Sequence, residues 1–274
     1  MNKHDIEVNL KKAAAAIMDA DGILIGAGAG IGVDSGLPDF RGDDGFWRAY
    51  PKLKEKNLSF SDMANPSWFD LNPKQAWGFY GHRYNLYMNT QPHNGFSILK
   101  KWCDSKLYGG FVYTSNVDGH FQRAGFSENQ IVECHGAINY FQCTKSCCPD
   151  IWPSYGSQIQ VNEETLQAIS GLPRCPYCKY LARPNILMFN DYEWNSDRTE
   201  EQEDHYTRWI GARNNVVVIE IGAGQAIPTV RSACEATGAF LIRINPREYF
   251  VENHGVSLPL GALEALQKLD MKIG

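Results

Sequence analysis

A doubly wound α/β sheet is the fold class this chain predicts, and three observations carry that expectation. Short apolar runs recur at 23–27, Phe111–Tyr113, Val216–Ile221 and Leu241–Ile244. Each is rich in β-branched or aromatic residues and ends in a polar or glycine-containing turn, as buried parallel strands do. Helical segments lie between them, around 95–104 and 226–237, so strand and helix alternate as in a parallel sheet covered on both faces.

The 274 residues are enough for one large domain, or one domain carrying an insertion. Hydrophobic residues at 43% supply a core, and charged residues at 21% are ordinary for a globular chain. A net charge of −5 excludes any general attraction to nucleic acid or an anionic membrane. No stretch approaches the roughly 20 apolar residues a membrane span needs. The first 22 residues lack an uninterrupted apolar core. They read as an amphipathic helix and not as a signal peptide. Ile6, Leu10, Ala13, Ala14 and Ile17 fall at helical spacing, which predicts a helix over about 6–19 packed on the sheet. Eight cysteines without an export signal, four of them in a metal-like pattern, point to a reducing, cytoplasmic setting.

Behind the first strand comes a glycine-rich turn, Gly26 to Gly32, and then Gly36-Leu37-Pro38-Asp39-Phe40-Arg41. A strand running into glycines lets backbone N–H groups approach a phosphate closely. It is not the ordinary dinucleotide fingerprint, because G-x-G-x-x-G fails in every register. From 42 to 90 the chain is rich in aromatics, and Trp77, Tyr80, Tyr84 and Tyr87 recur at helical spacing, as the core of a small helical insertion would. Residues 140–185 break the strand–helix alternation and carry a cysteine cluster. The charge run Glu200–Asp204 reads as a solvated loop or helix face. In open α/β sheets ligands bind beyond the carboxyl ends of the strands. Gly28–Arg41, Ser115-Asn116, Gly222-Ala223-Gly224 and Asn245-Pro246 all follow predicted strands.

The run Gly28-Ala29-Gly30-Ile31-Gly32 with Gly36–Arg41 resembles the first motif of the sirtuin family of NAD-dependent protein deacylases, with Gly32 in place of the usual serine. Thr114-Ser115-Asn116-Val117-Asp118-Gly119-His120-Phe121-Gln122-Arg123-Ala124-Gly125 resembles the family's Thr-Gln-Asn-Ile-Asp-Gly-Leu-His-Gln-Arg-Ala-Gly. Glu133-Cys134-His135-Gly136 resembles its Glu-Leu-His-Gly. The chain is thus similar to sirtuins over roughly 20–250, as a divergent, bacterial-type member.

The resemblance implies a Rossmann-like doubly wound parallel sheet with a smaller helical insertion and a zinc-binding module. It divides one catalytic domain, 1–274, into an NAD-binding lobe (1–41, 91–139 and 187–274), a helical insertion (42–90) and a zinc module (140–186). NAD contacts fall on Gly28, Ala29, Gly30, Asp39, Phe40, Arg41, Ser115, Asn116, Asp118, Gly222, Ala223, Gly224, Asn245 and Pro246. Asn116 and Asp118 belong to the nicotinamide pocket, where a carboxamide needs paired donor and acceptor partners. Ser115 stands where the family has a glutamine that contacts the nicotinamide ribose, and a serine is shorter. His135 takes the part of general base, which suits an imidazole titrating near neutrality. The implied reaction begins when the acyl oxygen attacks the ribose carbon bearing nicotinamide, and nicotinamide departs. His135 then takes a proton from a ribose hydroxyl so that the 2′-oxygen attacks the alkylimidate, and hydrolysis releases lysine and O-acyl-ADP-ribose.

Cys143, Cys147 and Cys148, then Cys175-Pro176-Tyr177-Cys178, make two close cysteine groups. Four thiolates of this kind form a closed, tetrahedral, structural zinc site. The alternative is a metal-free set of buried or disulfide-paired cysteines. Cys147 is preferred to Cys148 because its spacing is nearer the family's knuckle, giving Cys143, Cys147, Cys175 and Cys178 as ligands. Arg183-Pro184-Asn185-Ile186-Leu187-Met188-Phe189 resembles the segment that lines the acyl-lysine tunnel, with Asn190-Asp191 replacing Gly-Glu. Leu187, Met188 and Phe189 are therefore substrate-binding candidates. Tyr80 and Arg83 match the Tyr-x-x-Arg of sirtuins that prefer acidic acyl groups, where they would flank the tunnel mouth. A helix face with an exposed arginine is the competing reading. The expected activity is NAD-dependent removal of acetyl, or succinyl and malonyl, from protein lysine. The same pocket could instead serve ADP-ribosyl transfer or NAD hydrolysis. A non-enzymatic NAD sensor is disfavoured by Asn116, Asp118 and His135 occurring together.

Overall fold

The computed structural model describes residues 1–38, 42–154, 157–169 and 171–274, with 42–44 by backbone alone. In chain order the strands are β1 (Gly22–Ala27), β2 (Gly110–Thr114), β3 (Ile131–Glu133), β4 (Gly136–Cys143), β5 (Trp152–Pro153), β6 (Val161–Asn162), β7 (Gln167–Ala168), β8 (Ala182–Ile186), β9 (Val216–Ile221), β10 (Phe240–Ile244) and β11 (Gly255–Leu258). The main helices are α1 (Lys3–Asp19), α2 (Gly42–Ala49), α3 (Pro51–Glu55), α4 (Phe60–Met63), α5 (Trp68–Leu71), α6 (Pro73–Asn89), α7 (Asn94–Asp104), α8 (His120–Arg123), α9 (Asp197–Gly211), α10 (Thr229–Ala236) and α11 (Ala262–Ile273).

Among the described residues, six strands form one parallel sheet in the order β11-β10-β9-β1-β2-β3. The order reverses between β1 and β9, which places the topological switch point at the carboxyl ends of those two strands. Every residue of β1 is buried because both faces are covered. Ile23 and Ile25 pack with Val112 and Ile219 under α1, α7 and α11. Leu24 packs with Phe111 and Val218 under Trp209, Val230 and Cys234 of α9 and α10. That two-sided burial is why these strands read as continuous apolar runs and do not alternate.

Helix α1 begins earlier than the apolar spacing implies, because Asn2 and Asp5 close a reciprocal capping box. Helix α10 starts later than 226, just after Pro228. The run Glu200–Asp204 lies on α9, where Gln202 faces inward and the four acidic residues face outward. No described helix is long and apolar enough to cross a membrane.

A second core joins α2–α6 to an antiparallel module built on β5-β4-β8 and the β6–β7 hairpin. Trp77, Tyr80, Tyr84 and Tyr87 are all buried in it. Helix α6 carries Gly78 where a Cβ would stand 2.0 Å from the Leu166 carbonyl oxygen. The missing side chain lets the hairpin lie directly on the helix, tied by Gln75 Nε2 donating to that same carbonyl at 2.9 Å.

Candidate active site

At the switch point two glycine turns lock together. The chain leaves β1 into a 3-10 turn, Ala29–Ser35, which ends at Gly36 with φ +91°. Gly28 N–H donates to the Ile221 carbonyl at 2.9 Å, and Gly30 N–H donates to the Gly222 carbonyl at 3.1 Å. A Cβ on Gly28 would stand 2.7 Å from Ala223 Cα, and one on Gly222, at φ +63°, would stand 2.5 Å from Gly30 Cα. The glycines are therefore demanded by two backbones in contact. The segment enters a 3-10 turn, and the usual third glycine of a strand-to-helix fingerprint has no place here. His93 braces this turn: its Nδ1 accepts from Gly95 N–H at 2.9 Å, so Nε2 carries the proton and donates to the Ile31 carbonyl at 2.9 Å. Asp39, Phe40 and Arg41 lie outside the described residues.

Ser115, Asn116 and Asp118 follow β2, directly beside this turn. Asn116 Nδ2 donates to the Gly28 carbonyl at 3.1 Å, and its backbone N–H donates to Thr114 Oγ1 at 3.0 Å. Asp118 is buried and accepts from His120 N–H at 2.9 Å. Burial pushes its carboxyl upward, against the opposing pull of Arg123 and Arg83. His135 stands at the end of the neighbouring strand, half-buried. Burial draws its imidazole below the ordinary histidine range, partly offset by the Ser115 carbonyl. It is thus a neutral base near pH 7. Glu133, two residues earlier, pairs with Arg198 of α9 at 2.6 Å and anchors the end of β3.

The His135 carbonyl accepts from Leu187 N–H at 3.0 Å, and Phe189 N–H donates to the Ala64 carbonyl at 2.8 Å. These two bonds stretch Leu187, Met188 and Phe189 between the sheet and the helical insertion. Met188 is buried, while Leu187 and Phe189 are partly exposed. The Phe189 ring meets Phe60 edge-on at 6.0 Å. Arg83 lies behind that pair, its guanidinium carbon 5.7 Å from the Phe60 ring and 5.5 Å from Phe79. Its Nε and Nη2 donate to Tyr87 Oη at 3.1 and 2.8 Å. At 6% exposure Arg83 is an interior cation, so the exposed helix face does not describe it. Tyr80 is buried beside it, and its hydroxyl has no hydrogen-bond partner among the described residues.

The replacement of Gly-Glu by Asn190-Asp191 is compensated locally. Asn190 takes the left-handed conformation at φ +56°, which asparagine tolerates better than most residues. Asp191 forms a bidentate pair with Arg183 at 2.7 and 2.9 Å, and both side chains are buried. Breaking such a pair strands a charge in the interior and costs about 3–5 kcal/mol. Asp191→Asn should accordingly lower unfolding stability in urea by that order. A loss below about 1 kcal/mol, the scale of a surface pair, would contradict this reading.

Gly222, Ala223 and Gly224 form the second turn. Asn245 is fully buried, so it clamps neighbouring turns and presents nothing to solvent. Its Nδ2 donates to the Ala223 carbonyl at 2.9 Å, and its Oδ1 accepts from Arg247 and Glu248 N–H at 3.0 Å each. Pro246 is exposed.

Cys143, Cys147, Cys175 and Cys178 come together with all four sulfurs within 4.8 Å of one another, and Cys148 is not among them. Cys143–Cys178 and Cys147–Cys175 each stand 3.6 Å apart, and none is disulfide-bonded. Sulfurs at about 2.3 Å from a central ion sit near that separation in a tetrahedron, so the donor set fits zinc and leaves no open position for catalysis.

Sequence reasoning missed the bracing residues: His93, Arg198, and the pair Glu220–Arg243. The last left a signal, one charge inside each of two apolar strands.

The sheet order, the interlocked turns and the four-cysteine module define a dinucleotide-type α/β protein with a donor set that fits a structural metal. The Sir2 family model matches residues 28–214, and the chain belongs to the Sir2 family. It is 28% identical to an NAD-dependent protein deacylase of Aeropyrum pernix, over 90% of each chain. It is 30% identical to one of Aquifex aeolicus, over 81% of this chain and 82% of that one. Among solved structures it shares the fold of a Sir2 homologue–NAD complex, with TM-score 0.74 and 23% identity over 96% of this chain and 93% of that chain. A Sir2 homologue mutant bound to ADP-ribose gives TM-score 0.72 at 24% identity, over 100% of this chain and 96% of that one.

Proposed function

We propose that this Sir2-family protein, an NAD-dependent protein deacylase, uses His135 as its general base and reads an acidic acyl group with Arg83 and Tyr80. The observation that carries the reading is the order of the site along neighbouring strand ends: Asn116 on the Gly28 carbonyl, the buried Asp118 two residues on, and His135 just beyond β3 with its carbonyl bonded to Leu187 N–H. NAD supplies the ribosyl carbon and nicotinamide as its leaving group. In this reading the glycine turns at 28–30 and 222–224 take the pyrophosphate and its riboses. Asn116 and the buried Asp118 offer the donor and acceptor a carboxamide requires. His135, held neutral by burial, takes a proton from a ribose hydroxyl. Leu187, Met188 and Phe189 wall the path of the lysine side chain, and Arg83 waits inside it.

Acylated proteins are the substrates of this reading, in a cytoplasmic setting. The three parts act as one domain, with the sheet lobe holding NAD, 42–90 supplying the acyl pocket, and the cysteine module bracing it.

An acyl carboxylate meeting Arg83 in a dry pocket would gain a charge-assisted hydrogen bond, worth on the order of ten- to a hundredfold. Acetyl-lysine has no carboxylate to offer. Arg83→Met should therefore cut desuccinylation by that factor and leave deacetylation within a few-fold of wild type. The loss should fall in KM if the carboxylate is held equally in ground and transition states. Equal losses toward both substrates, or a wild-type enzyme inert toward succinyl-lysine, would overturn the acyl assignment and leave the deacylase reading standing.

A further inference from the structure

The turns after β9 and β10 are held by a buried charge network that the reaction as described does not use. Glu220 sits one residue from the carboxyl end of β9 with no exposed surface, directly opposite Arg243 of β10. Arg243 Nε and Nη2 donate to the two Glu220 oxygens at 2.7 and 2.8 Å, and Nη1 donates to the Phe250 carbonyl at 2.6 Å. Arg231, on α10, approaches the same carboxylate less closely, at 3.7 Å. Its Nη2 turns instead to two backbone carbonyls, donating to Ala223 at 3.3 Å and to Glu248. One guanidinium thus spans the turn after β9 and the turn after β10. The second of these returns the contact, because Glu248 Oε2 accepts from Gln225 N–H at 2.9 Å.

We infer that Arg231 is the positioning residue that sets the Gly222–Gln225 turn for its dinucleotide. The inference rests on the NAD reading above. Residues 225–228 are exposed, so packing holds the turn only at its buried first half, Gly222 and Ala223. Its conformation depends on polar anchors: Gly222 N–H on the Ile244 carbonyl at 2.9 Å, and Asn245 and Arg231 on the Ala223 carbonyl. Arg231 reaches both turns with one cationic head, donating to a backbone carbonyl of each, while the Glu248 carboxylate crosses only from the second turn to Gln225. Glu220 keeps its bidentate partner Arg243 when Arg231 is removed, so loss of Arg231 frees the turn without stranding the buried carboxylate.

The test is calorimetric titration with ADP-ribose, alongside steady-state kinetics, for wild type, Arg231→Met and Arg231→Lys. Charge-assisted bonds of this kind set the expected loss at about ten- to a hundredfold in ADP-ribose affinity for Arg231→Met. KM for NAD should rise in parallel, with kcat and the KM for acyl-peptide within about twofold of wild type. Arg231→Lys keeps a cation with a single head, and its affinity should fall between the other two. Should Arg231→Met fail to fold, the Lys variant decides alone. Wild-type ADP-ribose affinity in the Met variant, or in the Lys variant alone, would overturn the inference. So would parallel damage to kcat and both KM values. Failure of the wild type itself to bind ADP-ribose would overturn the NAD reading and this inference together.

Discussion

Replacing His135 by Ala should lower deacylation by about 10²-fold or more, the usual contribution of a positioned general base. NAD binding should survive, because the interlocked turns at 28–30 and 222–224 do not rely on the imidazole. Nicotinamide exchange should survive better than product formation, since nicotinamide departs before the ribose hydroxyl must lose its proton. The pH profile carries a second signature. Burial lowers the pKa of His135, so its neutral form persists to lower pH than that of a free histidine near 6.5. Activity is present above that lowered pKa and is lost as pH falls through it. The acidic limb of kcat/KM should therefore lie below the ordinary histidine range. A His135→Ala enzyme with wild-type deacylation, or an acidic limb above pH 6.5, would remove the imidazole from the mechanism.

Replacing Cys175 and Cys178 together by Ser should abolish zinc retention and unfold the module around β4 and β8. Structural zinc contributes on the order of 10 kcal/mol to small sites of this kind, so metal loss and unfolding are one event. The damage should reach Tyr80 and Arg83, because the β6–β7 hairpin rests on α6 at Gly78, and α6 carries both residues. Single variants separate the neighbouring thiols: Cys147→Ser should lose metal, and Cys148→Ser should keep one zinc per chain by elemental analysis. Full metal content in the double variant would contradict the four-sulfur centre.

The elements legible in the sequence are those whose burial is continuous. Strands β1, β2, β9 and β10 are covered on both faces, and α1 and α7 have a long apolar stripe. Strand β3 has three residues, and the strands of the cysteine module exist through their pairing partners more than through their own composition. Strand β11 alternates partly buried and fully buried side chains at the sheet edge, so it shows no apolar run. At the site, motif residues stood out by type and order, whereas their supports did not. Asp191 finds Arg183 only after the chain has doubled back at Asn190. Glu220 and Arg243 announce themselves as charges inside apolar strands, but their pairing follows from register. Arg83 is as suited by sequence to a helix surface as to an interior, because polar and aromatic residues are mixed round α6 and the spacing marks no outer face.

Deacylation coupled to NAD consumption is most directly tested by mass spectrometry of one reaction: purified protein, NAD, and acetyl-, succinyl- or unmodified-lysine peptide. Equal amounts of deacylated peptide, nicotinamide and O-acyl-ADP-ribose are expected with the acylated peptides, and no product with the unmodified one. Free ADP-ribose or ADP-ribosylated peptide as the main product, with the acyl group left on lysine, would contradict deacylation and assign the same pocket to NAD hydrolysis or ADP-ribosyl transfer.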